Sequence, residues 1–327
     1  MRTRFEEFGA PLAGPNQRPF AETVGSRRRM TSIKARTIDV FSRAAPTYDS
    51  IGPRHFSYFA KKLIDFAEVG PASHVLDVAT GTGAVLLAVA ERVGVNGQVV
   101  GIDLSEAMLE RAAAAVRQRQ LQNVELRMMD AESLDLGGEQ FDCVLCSFAF
   151  LAFPNKDRVV RGFRQVLKPG GRLGLVDAFG WFFQHDSRWK RQEDVLRSFG
   201  GLRNEVEGGY GPADLEDMLR AAGFVAIEAI EDCCGLVFKD EEEWWNWTWS
   251  HGSRRLLEAV PPCKQEELKR ELFKALDACK EADGMIHGSL RASLVRARMP
   301  TARGPTWSPT CWRGNASRAW TGPGLRV

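Results

Sequence analysis

The run His74-Val75-Leu76-Asp77-Val78-Ala79-Thr80-Gly81-Thr82-Gly83 constrains this chain more than any other. Val75, Leu76, Val78 and Ala79 form a short apolar stretch of the kind that makes a buried parallel strand. A glycine turn ends it, and an apolar helical pattern follows from Ala84 to Val93. Strand, tight turn and helix together build a nucleotide-type site. Glycine lets the backbone approach a ligand closely, and a helix start presents N–H groups without intrahelical partners.

A second strand, Gln98 to Asp103, ends in an acid. A carboxylate there accepts hydrogen bonds from ribose hydroxyls in folds of this class. The dinucleotide fingerprint G-x-G-x-x-G requires a small residue where this chain has Leu86, which speaks against a nicotinamide dinucleotide. A third strand begins near Val124 and closes at Asp130-Ala131-Glu132, where an acid suits an adenine amino group. Phe141 to Ser147 reads as a fourth strand, Asn155 to Leu167 as a helix, Lys168-Pro169-Gly170-Gly171 as a stop and turn, and Arg172 to Phe179 as a fifth strand. Gly223 to Ile230 and Leu290 to Arg298 read as the sixth and seventh. From the residues alone the fold is a doubly wound α/β sheet.

The motifs D-V-A-T-G-T-G, G-I-D-L-S-E-A-M-L, D-A-E-S-L, F-D-C-V-L-C-S and V-L-K-P-G-G-R-L-G-L-V-D occur in this order. In order and spacing they resemble the class I S-adenosylmethionine (SAM)-dependent methyltransferases. The likeness is greatest to the branch of ubiquinone and menaquinone C-methyltransferases and natural-product methyltransferases, and spans roughly residues 35–299. Val40 to Asp49 resembles that branch's N-terminal cap. The resemblance implies a seven-stranded, mostly parallel, Rossmann-like sheet with an antiparallel last strand and a helical cap and lid. It implies SAM as cofactor, S-adenosylhomocysteine (SAH) as product and a small-molecule methyl acceptor. Carried onto this chain, cofactor contacts fall to Asp77, Ala79, Gly81, Thr82, Gly83, Asp103, Leu104, Met108, Asp130, Ala131 and Ser147. Ala79 departs from the glycine that many class I enzymes have there.

Three segments lie outside the sheet: a cap over 31–70 and insertions over 180–211 and 235–288. They are placed to close over the carboxyl ends of the strands, where ligands bind in such folds. Phe148, Phe150, Phe153, Trp181, Phe182, Phe183 and the run Trp244-Trp245-x-Trp247-x-Trp249 supply an aromatic pocket. Phe150, Trp181, Phe182, Trp245 and Trp249 are the expected acceptor contacts, suited to a hydrophobic aromatic, prenylated or polyketide-like substrate. Methyl transfer needs alignment and, for a protonated nucleophile, a base. His185, after the fifth strand, is the first choice of base; His55 and His251 rank lower. Tyr48 is a second candidate, more suited to covering the cofactor. His74 starts a strand at the far edge and reads as structural.

The net charge is +2, with +3 on residues 1–30 and +4 on 300–327, which leaves −5 on 31–299. A mildly acidic folded core lacks the basic stripe that nucleic acid requires. No apolar run approaches the ~20 residues of a membrane-spanning helix. The seven cysteines form no disulfide framework, so a reducing cytoplasm is expected. Cys143 and Cys146 lie on a strand at a spacing that faces them apart, so no metal site is expected. Residues 1–30 and 300–327 have Pro, Gly and Arg without apolar periodicity and read as disordered or non-native extensions. Cap and lid segments of this size can exchange between subunits, which leaves a homo-oligomer open. Two alternatives are an NAD(P)-dependent oxidoreductase, opposed by Leu86, and a non-catalytic scaffold of the same fold, opposed by the retained Gly81, Gly83, Asp103 and Asp130.

Overall fold

The computed structural model describes residues 24–178, 187–201 and 211–301, with side chains from Ile33 onward. Two helices come first, α1 (Val24–Ala44) and α2 (His55–Phe66). The alternating core follows: β1 (His74–Val78), α3 (Ala84–Val93), β2 (Gln98–Asp103), α4 (Glu106–Gln118), β3 (Val124–Met128), β4 (Phe141–Ser147), α5 (Lys156–Val166) and β5 (Leu167–Asp177). Then come α6 (Lys190–Ser198), α7 (Pro212–Ala221), β6 (Val225–Phe238), α8 (Glu241–Trp249), α9 (Arg254–Glu258), α10 (Gln265–Leu276) and β7 (Ile286–Arg298).

One seven-stranded sheet has the order β3-β2-β1-β4-β5-β7-β6. Strands β1 to β5 are parallel, and β7 runs antiparallel between β5 and β6. The centre is the most apolar part of the sequence. Val75, Leu76 and Val78 are flanked by Val99, Val100 and Ile102 on β2 and by Cys143, Val144 and Cys146 on β4, all buried. Such strands, covered by helices on both faces, dispense with alternation.

Leu86 belongs to the core after all. It is buried against β2 at Gly101, where a Cβ would lie 2.7 Å from its Cδ1. Close helix–strand packing is thus achieved by a glycine on the strand facing a leucine on the helix. Ser105 caps α4 by accepting from the Met108 N–H at 3.4 Å, and Asn155 caps α5 by accepting from the Arg158 N–H at 3.0 Å.

The last two strands are longer than the sequence reading gives. Pairing continues through Cys234↔Leu290 and Leu236↔Gly288 to Phe238↔Ile286. Cys234, Leu236 and Phe238 are buried while Cys233, Gly235 and Val237 are exposed, a period-2 pattern inside the segment taken as insertion. The insertion proper is therefore 239–285. Its helix α8 is capped by Asp240, which accepts from the Glu243 N–H at 2.8 Å, and α10 packs on α6.

Candidate active site

The site is built first from the turn after β1. Ala79, Gly81 and Gly83 have φ of +56°, +56° and +96°. The Thr80 N–H donates to Ile102 O, and its hydroxyl donates to Asp77 Oδ2 at 2.6 Å. The left-handed Ala79 explains why glycine is common at this position; alanine has the smallest side chain that still tolerates it. Among the described residues no heavy atom lies within 4 Å of where a Cβ on Gly81 would stand, so the turn presents bare backbone there.

Asp103, at the end of β2, holds this turn. Its Oδ2 accepts from the Gly81 N–H at 2.9 Å and its Oδ1 from the Ser105 N–H at 2.8 Å. Burial pushes the carboxyl up, and these backbone donors pull it back. Beneath it, Asp77 is fully buried, and burial raises it to about 7. Asp77 supports the turn through Thr80 and does not reach the cavity.

That cavity has a volume of about 120 Å³. Its floor holds Ala79, Gly81, Asp103, Leu104, Met108 and Ser147. Asp130 and Ala131 form its far wall, and Phe148 and Phe153 its near one. Its roof is Lys34, Thr37, Ile38 and Phe41 of α1, with Tyr48 beyond. The roof is latched: Lys34 Nζ lies 2.7 Å from both Asp130 Oδ2 and Glu132 Oε2, and the Ser42 and Ser105 hydroxyls are 2.9 Å apart. Of the expected contacts, Thr82 lines an adjoining open groove of about 610 Å³, and Gly83 caps α3. The donor set suits SAM: the Asp103 carboxylate beside a bare backbone turn, a second carboxylate at Asp130, and Leu104, Met108 and Ala131 as apolar walls.

Several expected acceptor contacts need correction. Phe150 is buried in the core beneath the sheet edge, edge-on to Phe153 at 6.2 Å; Phe153 faces the cavity instead. Trp245 and Trp249 pair with each other at 5.9 Å on the outer side of α8, under Lys269 and Arg254 respectively. The opposite face, Trp244 and Trp247, packs inward because it meets the buried Leu236 and Phe238 ribbon. Trp181, Phe182 and His185 lie outside the described residues.

Tyr48 stacks on Phe56 at 5.0 Å and meets Phe41 edge-on at 6.1 Å. Burial, then the nearby Asp49, Asp103 and Asp177, push its phenol far above the usual range, and its ring lines the cavity. Asp177 is also buried. It accepts from the Leu151 N–H at 3.0 Å, so it fixes the loop after β4, and burial raises it to about 6. Phe148, at the end of β4, holds φ +52° through an N–H bond to Val176 O at 2.7 Å. A phenylalanine in that region is strained, and such strain clusters at functional sites. Tyr58 and Lys62, four residues apart on α2, both bind Asp232 on β6, and neither lines the cavity.

His74 lies at the amino end of β1, where its backbone N–H donates to Asp142 Oδ2 at 2.8 Å and its Nε2 lies 3.2 Å from Glu139 Oε1. His55 and His251, by contrast, meet inside the molecule. Their rings are 5.9 Å apart, and His55 is 6.0 Å from Phe148.

Against this geometry the comparisons are direct. A methyltransferase domain family matches residues 75–171. Nocamycin O-methyltransferase of Saccharothrix syringae is 31% identical over 278 residues, covering 81% of this chain and 99% of that protein. Aklanonic acid methyltransferase DauC of Streptomyces sp. (strain C5) is 33% identical over 223 residues, covering 63% of this chain and 99% of that one. In structure, YcgJ of Bacillus subtilis shares the fold with a TM-score of 0.50 at 21% identity, over 75% of this chain and 99% of YcgJ. The fold and the cavity define a nucleotide-cofactor enzyme with a Rossmann-like sheet. The chain belongs to the SAM-dependent methyltransferases, and SAM is its cofactor.

Proposed function

We propose that this enzyme methylates a small, hydrophobic acceptor, aromatic, prenylated or polyketide-like, at oxygen or carbon. The carrying observation is the aromatic edge of the cofactor cavity, where Tyr48, Phe148 and Phe153 line its walls and Phe56 stacks behind Tyr48. Such walls favour flat apolar acceptors over charged ones. The relatives named for nocamycin and aklanonic acid support a natural-product acceptor.

When bound, SAM supplies an activated methyl group on a sulfonium. Asp103 would hold the ribose end through its remaining lone pairs, since both oxygens already engage backbone N–H groups. Asp130 would accept from the adenine amino group through a lone pair left beside its bonds to Lys34 and the Glu132 N–H. Gly81, with open space where a Cβ would stand, would admit the methionine part. The cap helix and the aromatic walls exclude water, so alignment and a dry site carry most of the acceleration.

The test is transfer of label from [methyl-³H]SAM to hydroxyanthraquinones, prenylated hydroquinones and polar phenolic acids. Label moving into the apolar acceptors supports the reading; label moving only into polar acids contradicts it.

A further inference from the structure

The loop after β4 brings Phe148, Ala149, Ala152, Phe153 and Pro154 to the cofactor cavity. None of these five side chains carries a hydrogen-bonding group. The backbone of the same loop is tied to charged side chains. Lys156 Nζ, from the first residue of α5, donates to Leu151 O at 3.1 Å and to Phe153 O at 2.9 Å. Asp177 Oδ2, at the end of β5, accepts from the Leu151 N–H at 3.0 Å, and Glu132 Oε1 accepts from the Asn155 N–H at 2.9 Å. Asp177 and Glu132 are both buried. Neither of them, nor Leu151 nor Lys156, lines the cavity.

The rest of the loop closes on backbone. The Phe148 N–H donates to Val176 O at 2.7 Å, the Ala152 N–H to Ala149 O at 3.0 Å and the Phe153 N–H to Phe150 O at 3.3 Å, while Pro154 has no N–H. An irregular loop beside a cavity would ordinarily offer its carbonyls and N–H groups to a ligand. Here an ammonium and two carboxylates occupy them from outside the cavity, through charge-assisted bonds. Burial lowers Lys156 from its ordinary value, and the nearby Asp177 and Glu132 pull it back. What the cavity meets is hydrocarbon. A hydroxyl set against such a wall gives up its water without a replacement, which costs affinity.

We propose that Lys156 is a positioning residue for acceptor selection: by holding the Leu151 and Phe153 carbonyls it keeps the Phe148–Pro154 wall apolar, so the enzyme takes flat acceptors whose edge toward this wall bears no hydroxyl. This rests on the methyltransferase reading above and deepens it by stating where the acceptor carries its polar groups. A ring system with a hydroxyl at one end and bare carbon at the other fits; one with hydroxyls at both ends does not. Without the ammonium, the two carbonyls lose their charged donor, and a hydroxyl on the acceptor can supply one in its place. Arginine keeps the charge and has donors enough for both carbonyls.

The test compares two dyes, 2-hydroxyanthraquinone, with a hydroxyl on one outer ring, and 2,6-dihydroxyanthraquinone, with one on each. Both are titrated into the full chain with SAH present, at a pH where the free dyes are protonated. The wild type should bind the first about tenfold tighter than the second. Lys156→Met should bring the two affinities together, and Lys156→Arg should keep them apart. SAH affinity, measured separately, stays unchanged in both variants, which a merely structural role would not predict. Equal affinities for the two dyes in the wild type, binding of neither, or an unchanged ratio in Lys156→Met overturns the proposal. So does a loss of SAH affinity in step with dye affinity. Failure of the wild type to bind SAH at all removes the methyltransferase reading beneath it. Should Lys156→Met lose its fold, hydrogen exchange on the wild type with SAH decides: 2-hydroxyanthraquinone must slow exchange over residues 148–155, and unchanged exchange there overturns the proposal.

Discussion

At the scale of single residues, the cavity depends on backbone conformations and lone pairs more than on bulk. Ala79 sits at φ +56°, where each added side-chain atom raises strain. Ala79→Gly should leave stability within about 1 kcal/mol of wild type, because relief of strain offsets the added freedom of the unfolded chain. Ala79→Val should destabilise by more than that and weaken SAH binding, as read by denaturation and calorimetry; an unaffected Val variant contradicts the role given to this turn. In the proposed role Asp103 must be ionised to accept from the ribose hydroxyls, and burial holds its carboxyl above the ordinary range. SAH affinity should therefore fall on acidification at a higher pH than an exposed aspartate would give, and constant affinity down to the ordinary carboxylate range opposes this. These positions were legible in the sequence because their spacing is local: a strand, a turn and an acid at the next strand's end. Lys34 was not. Nothing in its own helix marks a lysine that reaches Asp130, 96 residues away.

At the scale of elements, the cap and the lid meet over the aromatic edge. Arg43 of α1 pairs with Glu258 of α9, and the Phe41 ring lies 3.3 Å from where a Cβ on Gly252 would stand. Lys34 adds the inner latch. Lys34→Met should speed amide exchange over residues 33–44 in the free enzyme while the sheet keeps its protection; equal exchange contradicts the latch. In α8, helical spacing sets Trp245 and Trp249 on one face and Trp244 and Trp247 on another but does not decide which turns inward, since all four residues are apolar. The choice is made by Leu236 and Phe238, whose strand continues past the point where the sequence pattern was read as loop. Trp247→Ala should cost about 3–5 kcal/mol, as a large core truncation does. Trp245→Ala should cost clearly less, and comparable losses in urea denaturation oppose this orientation.

At the scale of the molecule, buried ionisable groups set opposing pH dependences. Asp77 and Asp177, raised to about 7 and about 6, hold protons in the folded state that the unfolded chain has released, so their contribution is lost as pH rises toward 7. His55, lowered to about 4, and His251 do the reverse: their contribution is present above the ordinary histidine range and is lost as pH falls toward 4. The wild-type melting temperature should vary little between about pH 5 and 6.5. Asp77→Asn should tilt the profile toward greater stability at higher pH, and His251→Gln should tilt it the other way; parallel profiles contradict the account. The doubly wound sheet was readable from the strand and helix pattern, and its antiparallel seventh strand and cofactor class from the family resemblance; the strand order was not read. The meeting of positions 55 and 251 was not, because only the folded cap and lid bring them together. The most direct test of the central claim is calorimetric titration of SAH into the wild type and Asp103→Asn. The account predicts saturable binding weakened roughly 10- to 100-fold in the variant, the loss of hydrogen bonds to a charged acceptor. Equal affinity in the two proteins, or none in a folded wild type, contradicts it.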